Sequence, residues 1–294
     1  MKRRHFLQKS AMASAGLIAA NNLLSCSNLN RINQFGFQAY TVRDVIKKDM
    51  LGTLTQLKQA GYDYAEFYDF ANGKLLGKPV KEAKGIIQDA QINLKSIHVL
   101  TGALKPEVTG TLTNNWQQGV DDAAELGVEY LVCAYLAGPE RKTIDQYKQL
   151  CDLFNRAGEA CQKSGIQFAY HNHEFEFEAI NGKIPFDILL NETDEDLVKM
   201  ELDIYWAKYA NQDPIEIFQK NKDRFPLWHV KDIQMDDKKT MTEVGNGSID
   251  WAEVFSHQQE AGLNYFFVEQ DGNWVSSSVE SLVQSVNYLK GLSF

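Results

Sequence analysis

A parallel (β/α)8 barrel is the fold this sequence predicts, on three observations: eight short β-branched and aromatic runs, a near-regular spacing between them, and glycine-ended helical patterns in the gaps. The runs occupy residues 35–40, 64–68, 94–99, 130–135, 166–171, 198–203, 227–231 and 265–269. Their starts lie 29 to 38 residues apart, the length of one strand plus one returning helix. Between them apolar residues recur three and four apart, as in Val45, Met50, Leu51, Leu54 and Leu57, or Leu150, Leu153, Phe154 and Ala157. Ala60-Gly61, Leu126-Gly127, Ser164-Gly165 and Ala261-Gly262 close such patterns just before a strand, where glycine can take the left-handed conformation that ends a helix. Eight units fill a closed barrel, whereas an open doubly wound sheet has fewer strands and two edges to protect. The longest connection, the polar stretch 101–115, follows the third run and is either a lid or surface decoration.

The barrel is assigned to residues 31–294 as a single domain, and residues 1–30 are set apart from it. Lys2, Arg3 and Arg4 lead into Phe6-Leu7 and an alanine-rich stretch over 11–24, the layout of an export signal with a twin-arginine motif. Leu23-Leu24-Ser25-Cys26 resembles a lipobox, which would make Cys26 the lipidated first residue of a periplasmic lipoprotein. Cleavage by an ordinary signal peptidase, with Cys26 discarded, is the alternative. Export is expected either way, with membrane contact only through that lipid. No later stretch approaches the roughly 18 apolar residues of a spanning helix. Cys133, Cys151 and Cys161 form no C-x-x-C pair and read as packing residues. With 44% hydrophobic and 23% charged residues the 294-residue chain is of ordinary globular composition. A net charge of -9 argues against a nucleic-acid partner and leaves a small sugar or polyol as the expected one; the oligomeric state is open.

Ionisable residues accumulate at the ends of the last four runs, where a barrel interior tolerates them only if they are paired or used. The fifth run leads into His171-Asn172-His173-Glu174, the sixth ends at Asp203, the seventh carries His229, Lys231 and Asp232, and the eighth ends at Glu269. Asp203, His229 and Glu269 are a carboxylate, imidazole, carboxylate set suited to a divalent ion such as Mn2+, with Mg2+, Co2+ and Zn2+ as alternatives. Strand alternation puts His171 and His173 on one face and Glu174 on the other if the fifth strand continues that far, and His171 is favoured as the fourth ligand. Glu174, His173 and Lys231 are the candidates for proton transfer. Gln38, Glu66 and His98 face either the substrate or a buried hydrogen-bond partner, and Asn172 is grouped with them. Trp206 could stack on a sugar ring or belong to the core. Gly245-Asn246-Gly247-Ser248-Ile249-Asp250-Trp251 lacks both phosphate-loop spacings and reads as a turn followed by an Asp250 helix cap. Neither G-x-S-x-G nor H-E-x-x-H occurs, so serine hydrolase and zincin chemistry have no support.

Five segments together resemble the xylose isomerase-like TIM barrel superfamily, the sugar phosphate isomerase/epimerase group that includes epimerases, inosose dehydratases and endonuclease IV, and in particular its exported Bacteroidetes-type members. They are Tyr-His-Asn-His-Glu-Phe-Glu-Phe at 170–177, Glu-Leu-Asp-Ile-Tyr-Trp at 201–206, His-Val-Lys-Asp at 229–232, the glycine-containing segment 245–251, and Val-Glu-Gln-Asp at 268–271. The resemblance implies metal ligands from strands 5 to 8, falling on the 171–174 cluster, Asp203, His229 and Glu269. It also exposes two departures. His171 stands where the epimerases carry glutamate, and Trp206 stands where they carry histidine, so a two-glutamate epimerase mechanism is not assured. The implied activity is a metal-dependent sugar isomerase or epimerase working through an enediolate. The first alternative is a lyase or hydratase on 3-keto-glycosides or inososes, and the second a non-catalytic sugar-binding lipoprotein.

Overall fold

The computed structural model describes residues 30–294 apart from 235 and 237, so the export signal read at residues 1–30, with Cys26, lies essentially outside the described residues. Eight strands close a parallel barrel: β1 (Gly36–Gln38), β2 (Tyr64–Phe67), β3 (Asn93–Val99), β4 (Tyr130–Cys133), β5 (Gln167–His171), β6 (Val198–Asp203), β7 (Leu227–Val230) and β8 (Tyr265–Val268). Each strand pairs with its sequence neighbours, and β8 pairs with β1 to complete the ring. The helices α1 (Met50–Ala60), α2 (Val80–Asp89), α3 (Trp116–Leu126), α4 (Ile144–Lys163), α5 (Pro185–Glu192), α6 (Ile204–Tyr209), α7 (Pro214–Lys220), α8 (Trp251–Ser256), α9 (Gln258–Ala261) and α10 (Ser278–Gly291) connect them. No helix among the described residues is long and apolar enough to cross a membrane.

The expected periodicities appear with local corrections. In α4 the residues Leu150, Phe154 and Ala157 are buried and Leu153 packs at the margin of the core. The first helix starts later than the apolar pattern from Val45 suggests, because the Asp49 carboxylate accepts the Gly52 N–H and caps it there; Leu51 then faces solvent. Gly61, Gly127 and Gly262 end their helices in the left-handed region, and Gly165 does so one residue after Ser164. Cys133, Cys151 and Cys161 are buried free thiols. Two small sheets were not expected: a three-stranded one from Phe70–Ala71, Lys74–Leu75 and Lys78–Pro79 after β2, and a hairpin pairing Asp232–Ile233 with Met241–Thr242 after β7.

Strand alternation divides the barrel interior into two zones. At the base, Tyr64, Tyr130, Val132, Ala169, Leu227 and Phe267 form a separate apolar cluster. Two residues further along β2, β5, β7 and β8 the same inward face carries Glu66, His171, His229 and Glu269, joined from β6 by Glu201 and Asp203. Gly36 makes the base possible: a Cβ there would lie 2.1 Å from Tyr64 Cε2. The outer faces, with Trp228, Met200, Leu202 and Tyr170, belong to the larger core shared with the helices.

Candidate active site

The polar zone is a two-layered network, and its lower layer is closed to solvent except at His98, which reaches the cavity above. Gln38, Glu66, Ser96, Glu201 and His229 are all fully buried. Gln38 Nε2 donates to Glu66 Oε1 at 2.7 Å, and the Ser96 hydroxyl donates to Glu66 Oε2. His98 Nε2 lies 2.7 Å from Glu66 Oε1 and 3.1 Å from Glu201 Oε2; His171 Nδ1 lies 3.1 Å from Glu201 Oε2; His229 Nε2 lies 2.7 Å from Glu66 Oε1 and 3.2 Å from Glu201 Oε2.

The upper layer uses the opposite edges of the same imidazoles. His229 Nδ1 is 2.6 Å from Glu269 Oε2 and 3.8 Å from Asp203 Oδ2, while His171 Nε2 is 3.7 Å from Asp203 Oδ2. Asp203 divides its labour between its two oxygens. Oδ1 accepts the Trp206 N–H and caps α6, and Oδ2 is buried without a hydrogen bond. Lys231 Nζ sits 2.6 Å from Glu269, 3.1 Å from Asp271 and 2.9 Å from Asp203 Oδ2, the last a charge contact outside hydrogen-bonding geometry.

The donor set fits a divalent cation. Donor atoms of Asp203, His229 and Glu269 lie within 4.8 Å of one another, and those of His98, His171, Glu201 and His229 form a second such group one layer down. The upper group contains Asp203, His229 and Glu269 of the ligand set expected from the sequence, while the fourth, His171, falls in the lower group; Asp203 Oδ2, buried with no hydrogen bond and faced by the Lys231 charge at 2.9 Å, is the kind of acceptor an ion satisfies. A carboxylate against the far nitrogen of each imidazole, Glu201 for His171 and Glu66 for His229, is how metal-ligating histidines are held in one tautomer.

Burial and the lysine set the charges. Burial pushes His173 down to about 3, aided by Lys231, and pushes His171 well below the usual imidazole range, aided by His229, so both rings are neutral. Burial also raises the Asp203 carboxyl to about 6 against the pull of Lys231. At His98 burial disfavours the cation, but Glu66 and Glu201 outweigh it and bring the ring to about 9. Burial would likewise disfavour charge on Glu66 and Glu269, yet His98 and His229 around one and Lys231 and His229 around the other hold both carboxyls below the usual range. The three carboxylates around Lys231 outweigh burial there and raise its ammonium well above the ordinary value.

A cavity of about 790 Å3 opens above this network, with His98, His171, His173, Lys231, Glu269 and Asp271 among its lining residues. Other residues singled out in the sequence lie elsewhere. Gln38 and Glu66 sit beneath the cavity. Asn172 is buried and grips the backbone of Asp203, accepting its N–H at 3.0 Å and donating to its carbonyl at 3.4 Å. Trp206 packs 5.6 Å from the His173 ring but does not line the cavity. Glu174 is half-buried away from it; the carboxylate at work in that turn is Glu176, fully buried, which accepts the His173 N–H at 2.8 Å and a hydrogen bond from the Tyr170 hydroxyl. Glu201, Ser96, Glu176 and Asp271 were not singled out as single residues. Alternation alone could have found Glu201, two before Asp203, and Asp271, two after Glu269.

Comparisons with known proteins agree with this architecture. The inosose dehydratase of Geobacillus kaustophilus (strain HTA426) is 27% identical over 190 residues, 53% of this chain and 60% of that protein, so the match spans less than two thirds of the relative. A sugar phosphate isomerase/epimerase from Parabacteroides distasonis ATCC 8503 superposes with a TM-score of 0.77 at 28% identity, over 90% of this chain and 96% of its own. The IOLI protein with a binding zinc atom superposes with a TM-score of 0.70 over 89% of this chain and 99% of its own, a likeness of fold alone at 15% identity. A family model described as xylose isomerase-like TIM barrel matches residues 54–292, which with the closed eight-stranded barrel makes the chain a member of the xylose isomerase-like TIM barrel family.

Proposed function

We propose that the chain is a divalent-metal-dependent enzyme that removes the proton beside the carbonyl of a keto-sugar or keto-polyol, leading to an enediolate. The observation that carries this reading is the convergence of Asp203 and His229, buried just beneath one cavity, with Glu269, His171, Lys231 and His173, which line it. Those first four residues would hold the ion, Mn2+ by the hard-to-borderline character of the set, with Zn2+, Co2+ or Mg2+ as alternatives. An ion there supplies positive charge that acidifies the C–H next to a carbonyl.

The chain's own residues divide the proton work. His173 is assigned as the base on its place in the site: it lines the cavity, and burial keeps its ring neutral. Lys231 is assigned as the acid, since its three carboxylate neighbours keep Nζ protonated where it borders the cavity. Glu176 fixes the turn from which His173 projects. In an elimination, a ring nitrogen of His173 takes the α-proton, the C–H pair becomes the new C=C bond, the C–O bond to the β-substituent breaks, and Lys231 Nζ gives a proton to the departing β-oxygen. One neutral base and one cationic acid suit this lyase outcome, and relatives named inosose dehydratase support it. Return of the proton instead gives isomerisation or epimerisation, a second reading supported by the isomerase/epimerase names of the Parabacteroides structures. Incubating the metal-loaded protein with keto-sugars and inososes in deuterated water, followed by NMR, tests both. Loss of water or of an aglycone without an epimer identifies the lyase, and a deuterated isomer identifies the isomerase. Neither exchange nor product across the panel would contradict the shared first step.

A further inference from the structure

The cavity is larger than one sugar ring needs, and its outer part is built differently from its floor. Its volume of about 790 Å3 lies in the upper part of the roughly 300–1,000 Å3 that encloses a drug-sized ligand. The floor is ionisable, but a continuous set of contacts leads from it to an aromatic wall. Lys231 pairs with Asp271; Arg43 donates to the Asp271 carbonyl at 2.6 Å and to the Tyr40 carbonyl at 2.9 Å; and the Arg43 guanidinium lies 4.2 Å from the centre of the Tyr40 ring. Tyr40 meets Tyr68 edge-on at 5.2 Å, and Lys47 stands 5.6 Å from the centre of the Tyr68 ring. Leu100 and Val108 add apolar surface to this part of the lining, which also carries the polar side chains of Asp69, Asn72, Lys74 and Lys105.

Local structure explains why Tyr40 is there. The Gln38 side chain accepts the Tyr40 N–H and ends β1, so the chain turns into a 3-10 helix over Ala39–Val42 before Tyr40 can join the barrel. Tyr40 and Leu100 remain 39% and 38% exposed, large apolar surfaces left uncovered at the mouth of a cavity. The wall is preformed. The Asn72 N–H donates to the Thr109 carbonyl at 3.0 Å, and Asn72 Oδ1 accepts the Thr109 N–H at 2.8 Å, which locks the small sheet after β2 to the connection that follows β3.

We propose that the substrate is a sugar or keto-polyol ring joined to a second ring, a glycoside in chemical class, with the second ring held against the surface of Tyr40, Tyr68, Leu100 and Val108. This rests on the reading of the floor as a sugar site. A second sugar and an aromatic aglycone share the relevant chemistry, a flat face able to stack on a tyrosine ring.

Titration calorimetry on the purified Mn2+-loaded protein tests the proposal with two matched sets: glucose, phenyl β-glucoside and cellobiose; and galactose, phenyl β-galactoside and β-1,4-galactobiose. In at least one set a two-ring ligand binds about ten-fold more tightly than the single ring. Tyr40→Ala cuts that ratio to about three-fold or less, while Tyr40→Phe, which keeps the ring, preserves it. A gain confined to the phenyl compounds identifies an aromatic aglycone, and one confined to the disaccharides a second sugar. Monosaccharide binding with no gain in either set, or a gain that survives Tyr40→Ala, overturns the proposal and leaves the floor reading standing. Binding of no ligand in either set overturns the proposal, and the deuterium-exchange experiment on keto-sugars and inososes then decides the floor reading.

Discussion

Glu176 is the residue whose ionisation costs the fold most visibly. Burial raises its carboxyl from an ordinary 4.5 to about 8, so it stays protonated at neutral pH in the folded chain and ionises when unfolded. The folded state therefore binds the extra proton. Its contribution to stability is complete below pH 4.5 and is lost as pH rises toward about 8. Glu176→Gln removes that dependence: its melting temperature should gain on the wild type between pH 5 and pH 8, and equal pH profiles for the two proteins would contradict the assignment. Glu201 acts at the same scale. Because it fixes the far nitrogen of His171, Glu201→Gln should retain the metal with affinity weakened about 10- to 100-fold, measured by competition with a chelator. Total loss would instead place the ion in the lower layer. These two residues also mark how far side chains could be read in the sequence. Ligand types at strand ends were legible because polar residues there break an apolar pattern. Glu201 and Glu176 were not singled out because each lies beside a more conspicuous residue, and only the register of β5 against β6, pairing His171 with Glu201, shows which imidazole Glu201 serves.

At the scale of elements, the turn before α8 is organised by one carboxylate. Asp232 is fully buried; its Oδ1 accepts the Ile233 and Ile249 N–H groups, and its Oδ2 accepts those of Gly245 and the Trp251 indole. A Cβ at Gly247 would lie 2.1 Å from Asp232 Oδ1, so this glycine is required by close approach. The turn-and-cap reading of 245–251 agrees with this, and Asp250 accepts the Glu253 N–H at 3.0 Å. Asp232→Ala leaves several buried donors unpaired and should cost at least about 3 kcal/mol in urea unfolding. A loss under about 1 kcal/mol would mean water replaces the carboxylate. The eight strands were legible because each is a short apolar run followed by a helix of different period. The sheet formed by residues 70–79 was not, since two-residue strands around Asn72-Gly73 and Gly77 carry no periodicity to detect. The connection after β3 is no free flap: Leu112 and Thr113 donate to the carbonyls of Leu100 and Thr101, and Thr109 is held by Asn72.

For the whole molecule, the barrel explains why the chemistry sits where it does. Short inward-facing strand segments can fill the base with Tyr64, Tyr130 and Phe267, and the same alternation two residues later presents ionisable groups that only mutual pairing makes tolerable. We propose from the sequence that this barrel works after export. Arg3→Lys with Arg4→Lys should leave the full chain in the cytoplasm on cell fractionation, and unchanged export would remove the twin-arginine assignment. The central claim is that the upper layer holds a divalent ion, and metal analysis of purified protein by mass spectrometry addresses it most directly. About one ion per chain in the wild type, lost in both Asp203→Ala and Glu269→Ala while circular dichroism shows a folded barrel, is the predicted result. A wild-type protein that stays metal-free after incubation with Mn2+, Zn2+ and Co2+ would contradict it.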